Sequence, residues 1–381
     1  NENNQKQALT SQPLFAYKNF DVATHGNYAN AKVVIEKRLT GLSAVRFGSE
    51  YNYSNDKTDV TLYNAKSTQT VKENLLSGFA EADIYITNDI AAKIGGRAEH
   101  SSLVDKWNVA PRLSLAYKFT DNSQASFAYG IFYQDPEKRH LPSAANLDFA
   151  RSTHYIVQYQ KLNNNRTFRT EIFYKKYQDL FKTSSNTGKE TAVNNQGYGE
   201  AKGFELFWRD KKTIKNVDYW VSYSFLDTKR DFLNYPTAIA PPFASKHTAS
   251  LVAKKFVTKW KTQFNGSYTY ATGRPYYNIR YDNAANANKI FDAGKTKDYN
   301  SVSFSVNYLP NIGQPNASKF TVIVFSVTNV LGTNNIYSYN YSYNGLNKQP
   351  VTPPSKRFFY LGCFISFGID RTENAVNNLI L

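Results

Sequence analysis

The chain has 381 residues, which is enough for one large domain or two, and its formal net charge is +16. No apolar run approaches the roughly 18–20 residues of a membrane helix, so the sequence excludes a helical membrane protein. The basic residues are scattered, without a run of five or more and without a nucleic-acid-binding motif, which argues against nucleic acid as a partner.

A period of two in hydropathy predicts fifteen β-strands along the chain. Residues 1–26 have no such period. The predicted strands are 27–38, 45–51, 74–86, 90–99, the two strands of a hairpin at 110–133, 151–160, 167–176, 200–209, 217–225, 247–257, 261–270, 299–308, 320–330 and 356–369. No helix candidate of ten or more residues interrupts them, so the sequence predicts an all-β fold.

The hairpin at 110–133 has the clearest pattern. Leu113, Leu115 and Tyr117 share one face of its first strand, and Phe127 and Ile131 share one face of the second. Polar or small residues take the opposite faces. An apolar, aromatic-rich face opposite a mixed polar face is typical of a transmembrane β-barrel wall, with lipid outside and a crowded or watery lumen inside.

Short turns and long loops alternate between the predicted strands. Short turns near residues 40, 120, 162, 211 and 258 alternate with polar loops at 54–71, 134–148, 181–195, 229–245, 272–297 and 331–354. Outer-membrane barrels have short periplasmic turns and long extracellular loops. We therefore expect an antiparallel up-and-down transmembrane β-barrel in the outer membrane of a Gram-negative bacterium. Its parts would be an extracellular segment at 1–26, barrel strands and loops at 27–369, and a periplasmic tail at 370–381.

Histidine and cysteine offer neither a catalytic nor a metal site. No two of the five histidines lie at metal-ligand spacing on one element, and no Gly-x-Ser-x-Gly motif, paired cysteine or phosphate-binding loop is present. The single cysteine, Cys363, falls on the apolar face of the last strand, which predicts a small buried or lipid-facing side chain. We expect no enzymatic activity, no cofactor and no metal ion.

Charged residues fall on the predicted inner face of several strands. They are Lys93, Arg97, Glu99, Arg112, Lys118, Arg169, Glu171, Lys175, Glu205 and Arg209. Bare charges in a dry lumen need partners. Two interpretations stay open, namely ion pairing between neighbouring strands and contact with a polar plug or a watery path.

Two loops combine aromatic and basic residues, GRPYYNIRY at 273–281 and IYSYNYSY at 336–343. Tyrosine and arginine supply stacking, hydrogen bonds and anion contacts at a modest entropic cost. The candidate ligand-binding residues are Arg274, Tyr276, Tyr277, Arg280, Tyr337 and Tyr339. The alternative is that such tyrosines belong to the aromatic girdle at the membrane interface.

Several stretches resemble the C-terminal half of TonB-dependent outer-membrane receptors. A mid-barrel hairpin of that family is similar to APRLSLAYKFTDNSQASFAYG. One of its strands is similar to GYGEAKGFELFWR, with Ala201, Gly203 and Glu205 at the matching places, and its last strand is similar to KRFFYLGCFISFG. The resemblance covers nearly all of the chain. It implies a barrel of about 22 strands whose lumen holds an N-terminal plug.

The resemblance also implies a function and partners. Such receptors import a scarce nutrient, for example an iron–siderophore, cobalamin, a glycan or a peptide, and they contact outer-membrane lipid, lipopolysaccharide, the plug and the TonB complex. No stretch here matches the plug or the TonB box, and an odd strand count cannot close a single-chain bacterial barrel, so we expect a fragment of a polypeptide about twice as long. The alternatives are a plug-free porin or channel and a cell-surface interaction scaffold.

Overall fold

The computed structural model describes residues 2–7, 14, 20–62, 65–141, 146–184, 191–314 and 319–367. Twenty strands dominate it, and two 3-10 helices of three residues, Lys138–His140 and Thr258–Trp260, lie between strands. In the described ranges no helix is both long enough and apolar enough to cross a membrane.

The strands are numbered in chain order. They are β1 (Glu2–Gln7), β2 (Phe20–Arg38), β3 (Ala44–Leu62), β4 (Ala65–Tyr85), β5 (Ile90–Ser101), β6 (Lys106–Thr120), β7 (Ser123–Gln134), β8 (Ala150–Asn163), β9 (Arg166–Ser184), β10 (Thr191–Asp210), β11 (Val217–Asp231), β12 (His247–Val257), β13 (Thr262–Ala271), β14 (Pro275–Asp282), β15 (Ala287–Lys295), β16 (Tyr299–Tyr308), β17 (Lys319–Thr328), β18 (Ser338–Tyr341), β19 (Lys348–Val351) and β20 (Phe358–Phe367).

Sixteen strands form one antiparallel sheet in which each strand pairs with the next one along the chain. The order skips β14, β15, β18 and β19, which form two separate two-stranded hairpins. The fifteen strands predicted from the sequence correspond to β2–β13, β16, β17 and β20, so the all-β up-and-down architecture is confirmed.

The strands of the first hairpins are longer than predicted. The polar loop predicted at 54–71 is wrong, because β3 continues to Leu62 and β4 starts at Ala65, with continuous pairing. Similarly, β2 begins at Phe20 rather than at residue 27, and β9 extends to Ser184. In the extensions of β3 and β4 polar residues occupy most positions on both faces, so the hydropathy period disappears there while the backbone hydrogen bonds continue. The tail at 370–381 lies outside the described residues.

Two ends of the sheet can be distinguished by their connections. At the short-turn end the connections are 39–43, 86–89, 121–122, 164–165, 211–216, 258–261 and 309–318. At the long-loop end they are 63–64, 102–105, 135–149, 185–190, 232–246, 272–298 and 329–357. The predicted alternation therefore holds for the connections 135–149, 232–246, 272–298 and 329–357, whereas the connections after β3, β5 and β9 are short. The long stretches 272–298 and 329–357 contain the two hairpins.

The outer face of the sheet is a continuous apolar band. In β11, Val221 is 42% exposed and lies between its register partners Trp208 and Leu251. Near the last strand, Phe325 pairs with Leu361, and Cys363 is exposed on the same face. Among the described residues, small buried clusters lie near the rims, for example Val104, Leu147, Phe149 and Ala192. Most of the apolar surface of the described chain thus faces outward, as a lipid-facing wall requires.

The inner face carries ion pairs between neighbouring strands, across one intervening strand from Arg97 on β5 to Glu50 on β3, and within β5 from Arg97 to Glu99. Arg97 lies 3.2 Å from Glu50 and 2.8 Å from Glu99, and Lys93 lies 3.2 Å from Asp83. Arg209 pairs with Asp218 at 2.5 Å. Other inward cations stack on rings, such as Arg112 at 5.0 Å from the Phe132 ring centre and Arg169 at 5.9 Å from that of Phe207. These contacts support the interpretation of cross-strand pairing.

Glu171 and Glu205 differ from the other inward charges. They are register partners on β9 and β10, and neither has an ion-pair partner within the described part of the chain. Like charges directly opposite each other destabilise a sheet. Both glutamates line one cavity with Arg169, which lies over the Phe207 ring and within ion-pair distance of neither carboxylate.

Candidate functional site

Two hairpins stand at the long-loop end. In the β14–β15 hairpin the turn is closed by Asp282, whose carboxylate accepts the backbone N–H of Ala284 at 2.9 Å, and by Asn286 in a left-handed conformation. In the β18–β19 hairpin Gly345 has a φ of 73°, which the turn requires and which only glycine adopts without strain. The turn chemistry of both segments thus favours a hairpin within a long connection.

The two hairpins meet through five side chains, which we call the hairpin contact: Tyr276, Asp292, Tyr339, Tyr341 and Lys348. The rings of Tyr276 and Tyr339 lie 4.6 Å apart. Lys348 Nζ donates to Tyr276 Oη at 2.9 Å and to Asp292 Oδ2 at 3.1 Å, and it lies over both rings. Tyr341 Oη donates to Asp292 Oδ2 at 2.8 Å. Aromatic stacking, a cation and a carboxylate are therefore combined in one place.

The charges of the hairpin contact are mutually stabilised. The hydrogen bond from Tyr341, followed by that from Lys348, lowers the pKa of Asp292. The hydrogen bond to Tyr276, followed by that to Asp292, raises the pKa of Lys348. Burial, with the hydrogen bond to Asp292, raises the pKa of Tyr341. At neutral pH the site therefore holds a carboxylate at Asp292, an ammonium group at Lys348 and a protonated phenol at Tyr341.

Three of the six candidate ligand-binding residues lie in or beside the hairpin contact. Tyr276 and Tyr339 face each other within it. Arg280 stacks on the Phe291 ring at 4.3 Å and donates to the carbonyl of Asn344 at 3.1 Å, which ties β14 to the tip of the other hairpin.

The other three candidates lie elsewhere. Tyr277 points to the opposite face of its hairpin and packs on Tyr235 at 6.2 Å. Tyr337 stacks on Tyr299 at 6.4 Å, at the start of β16. Arg274 is exposed, and its backbone N–H donates to Thr296 Oγ1 at 3.0 Å. The structure therefore does not unite the six residues into one site.

Sequence reasoning missed Asp292 and Lys348. Each lies in the second strand of its hairpin, outside the two aromatic and basic runs at 273–281 and 336–343. The only available indication was the register that a hairpin imposes, which places Asp292 opposite Asn278 and Lys348 opposite Tyr341. Among the residues that the structure describes, no group of three or more His, Cys, Asp or Glu side chains is placed to hold a metal ion.

The sequence profile of the family described as TonB dependent receptor-like, beta-barrel matches residues 1–330. The chain belongs to this family. The prediction of a TonB-dependent receptor barrel in the outer membrane is therefore confirmed. No curated protein matches the sequence.

Solved TonB-dependent receptor structures have the same fold. The outer-membrane transporter YddB from Escherichia coli has a TM-score of 0.67 at 14% identity, covering 92% of this chain and 55% of that one. The ferripyoverdine receptor of Pseudomonas aeruginosa has a TM-score of 0.68 at 11% identity, with coverage of 95% and 52%. The ferric enterobactin receptor PfeA of the same organism has 0.65 at 12%, with coverage of 91% and 54%. This chain spans about half the length of these structures.

Proposed function

We propose that this barrel belongs to an outer-membrane receptor that imports a scarce nutrient with energy from the TonB complex, and that the long-loop end faces the outside. The hairpin contact carries the proposal. Its tyrosines and charged groups come from two connections that the barrel wall does not need for closure. An aromatic and charged cluster at the long-loop end suits capture of a ligand rather than packing of the wall.

The chemistry of this cluster suits ligands with rings, hydroxyl groups or anionic groups. Tyr276 and Tyr339 offer stacking faces, and Lys348 and Arg280 offer cationic donors. The ferripyoverdine receptor was solved with ferripyoverdine, and PfeA is a ferric enterobactin receptor. Iron–siderophores are therefore the nutrient class to test first, before cobalamin, glycans and peptides. The proposed partners are a plug domain, the TonB complex, membrane lipid and lipopolysaccharide.

Uptake into cells tests the proposal. A strain that lacks the receptor is complemented with the full-length wild-type protein or with the double variant Tyr276→Ala/Tyr339→Ala, and uptake of labelled ferric siderophores is measured first. We expect TonB-dependent uptake by the wild type and a loss of about tenfold or more in the double variant, because two stacking contacts contribute about 0.5–1.5 kcal/mol each.

The matched control is Tyr308→Ala, which removes an exposed tyrosine at the short-turn end of β16. This variant should take up the nutrient as the wild type does when equal amounts of receptor are present at the cell surface. Uptake that persists without TonB would contradict the receptor and favour a plug-free channel. Absence of uptake for every nutrient class would favour a surface scaffold.

A further inference from the structure

A cavity of about 400 Å³ lies on the face of the β14–β15 hairpin opposite to the hairpin contact. Its walls come from three parts of the chain, namely the end of β11, the connection 232–246 and the hairpin itself. Much of the lining is small or apolar, including Ala240, Ala244, Pro275 and Ala293. Pockets for small ligands begin at about 300 Å³, so the cavity has room for a small molecule or for one arm of a larger one.

Strand alternation separates the cavity from the hairpin contact. Pro275 pairs with Lys295, and Tyr277 pairs with Ala293, and these four residues line the cavity. Tyr276, the residue between Pro275 and Tyr277, points the other way into the hairpin contact. The hairpin contact therefore holds the wall of the cavity in place without filling it.

The charge of the cavity lining is unbalanced. Two lysines and one aspartate line it. Asp227 already has a partner, since its carboxylate lies 3.8 Å from Lys202 Nζ. Neither Lys246 nor Lys295 has an ion-pair partner within the described ranges, although Lys246 Nζ lies 5.6 Å from the Phe225 ring centre. The cavity therefore has an excess of positive charge.

Tyr277 adds a polar group to this cavity. Burial raises the pKa of Tyr277, so its phenol stays protonated at neutral pH. Its hydroxyl makes no hydrogen bond to any residue that the structure describes. An unused donor beside two unpaired ammonium groups suits an acceptor-rich anionic ligand.

The opposite wall of the cavity is fastened to the barrel. Tyr235 is only 6% exposed and packs against Phe232 at 4.9 Å and Tyr277 at 6.2 Å. The backbone of Leu233 hydrogen-bonds to Phe181 at 2.7 Å and to Thr183 at 3.1 Å, which joins the connection 232–246 to β9. The cavity is thus formed before a ligand arrives, which lowers the ordering cost of binding.

From these observations we infer that the cavity binds the carboxylate or phosphate group of a small organic anion, between Lys246 and Lys295 and within reach of the Tyr277 hydroxyl. The apolar part of the ligand lies against Pro275 and Ala293. That this anion is part of the imported nutrient rests on the proposed function. The binding of an anion in this cavity does not rest on the proposed function.

Affinity labelling with pyridoxal 5′-phosphate tests this site on the full-length receptor in detergent. The aldehyde condenses with a lysine amine and releases water, and borohydride reduces the imine to a stable secondary amine that mass spectrometry locates. A phosphate held by one lysine of the cavity brings the aldehyde to the other. Pyridoxal, which lacks the phosphate, is the matched probe.

We expect the phosphate probe to label Lys246 and Lys295 about fivefold more than pyridoxal does, as one added contact to a charged group predicts. Lys295→Gln should remove this preference at Lys246, and Lys246→Gln should remove it at Lys295. Lys297→Gln, which changes a neighbouring lysine outside the cavity lining, should leave both unchanged. Citrate should protect both lysines, and lipopolysaccharide should not.

Equal labelling by the two probes, or a preference that survives in both single variants, would overturn the inference. Protection by lipopolysaccharide alone would overturn the assignment to a soluble anion. Migration of the unheated variants on gels verifies that each barrel is folded. Because labelling requires no transport, a failed uptake experiment with intact labelling would reject only the proposed function.

Discussion

Asp135 and Asp292 experience opposite environments at the long-loop end. Hydrogen bonds from Tyr341 and Lys348 lower the pKa of Asp292. Burial, together with the charges of Glu73 and Glu99, raises the pKa of Asp135 to about 6, against the hydrogen bond from Ser101. A carboxyl group whose pKa is lower in the folded than in the unfolded protein stabilises the folded state at pH values above its unfolded pKa of about 4. A carboxyl group whose pKa is higher in the folded protein destabilises the folded state at those pH values. The two residues therefore predict opposite responses to substitution at neutral pH.

Asp292→Asn should loosen the hairpin contact at pH 7. The carboxylate that Lys348 and Tyr341 contact would be lost, and the same loosening should appear in the wild type as the pH falls below about 4. Limited proteolysis followed by mass spectrometry should show cutting of β18–β19 about two- to threefold faster, because exposed ion pairs contribute less than about 1 kcal/mol. Asp282→Asn is the matched control, because Asp282 pairs with Lys289 inside one hairpin. An equal effect of both variants would contradict the role of Asp292.

Asp135→Asn should stabilise the protein at pH 7.5 and have little effect at pH 4. One carboxylate oxygen of Asp135 is buried without a hydrogen-bond partner in the described structure, so ionisation above about pH 6 is costly. The expected gain is about 1–2 kcal/mol after allowance for partial solvent screening. Thermal unfolding in detergent at both pH values measures it. Glu137→Gln changes an exposed residue of the same connection and should leave the Tm unchanged at both pH values. A lower Tm of Asp135→Asn than of the wild type at pH 7.5 would contradict this prediction.

At the scale of elements, the sequence predicted the strands that touch lipid and missed those that do not. Lipid requires apolar residues at alternate positions, as at Leu113 and Leu115, and this requirement makes the wall predictable. The extensions of β3 and β4 have no such requirement. The site was half predictable for a similar reason: Tyr276 and Tyr339 stand out by composition, but their meeting depends on where two long connections fold. Asp292 and Lys348 acquire their roles only through that meeting.

Val221→Arg tests the register of β11. The side chain of Val221 lies in the apolar band between Trp208 and Leu251, so a charge there should cost about 2–4 kcal/mol and reduce assembly in the outer membrane. Ser222→Arg should be milder, because Ser222 faces inward beside Glu205 and its new charge has an acidic neighbour. Folded barrel is quantified by its migration in unheated gels. Equal tolerance of both substitutions would mean that the register is shifted by one residue.

At the scale of the whole molecule, the inner wall has two electrostatic regions. Over β3–β5 the charges form two separate ion-pair clusters, one of Asp83 with Arg46 and Lys93 and one of Arg97 with Glu50 and Glu99. Over β9 and β10 Glu171 and Glu205 face each other instead. Charges that pair within the wall need no counter-ion from the lumen, whereas two opposed carboxylates are stabilised by a nearby cation, and Arg169 lines the same cavity as Glu171 and Glu205.

The orientation of the barrel predicts where protease cuts intact cells. If the long-loop end is outside, protease should cleave the connections 185–190 and 272–298 without permeabilisation. The turn 211–216 at the short-turn end should be cut only after the outer membrane is opened. Fragment masses identify the sites. Cleavage of 211–216 alone in intact cells would reverse the assignment.

The long pairing of β3 with β4 also extends the sheet beyond the apolar band. Residues 54–62 and 65–75 continue the ladder past the apolar band, and at about 3.3 Å per residue and a tilt of about 40° they rise roughly 25 Å above it. With the long-loop end outside, this ribbon crosses the sugar layer of the cell surface. A force applied to the outer ends of β3 and β4 would be carried by the backbone hydrogen bonds of their ladder directly into the barrel wall.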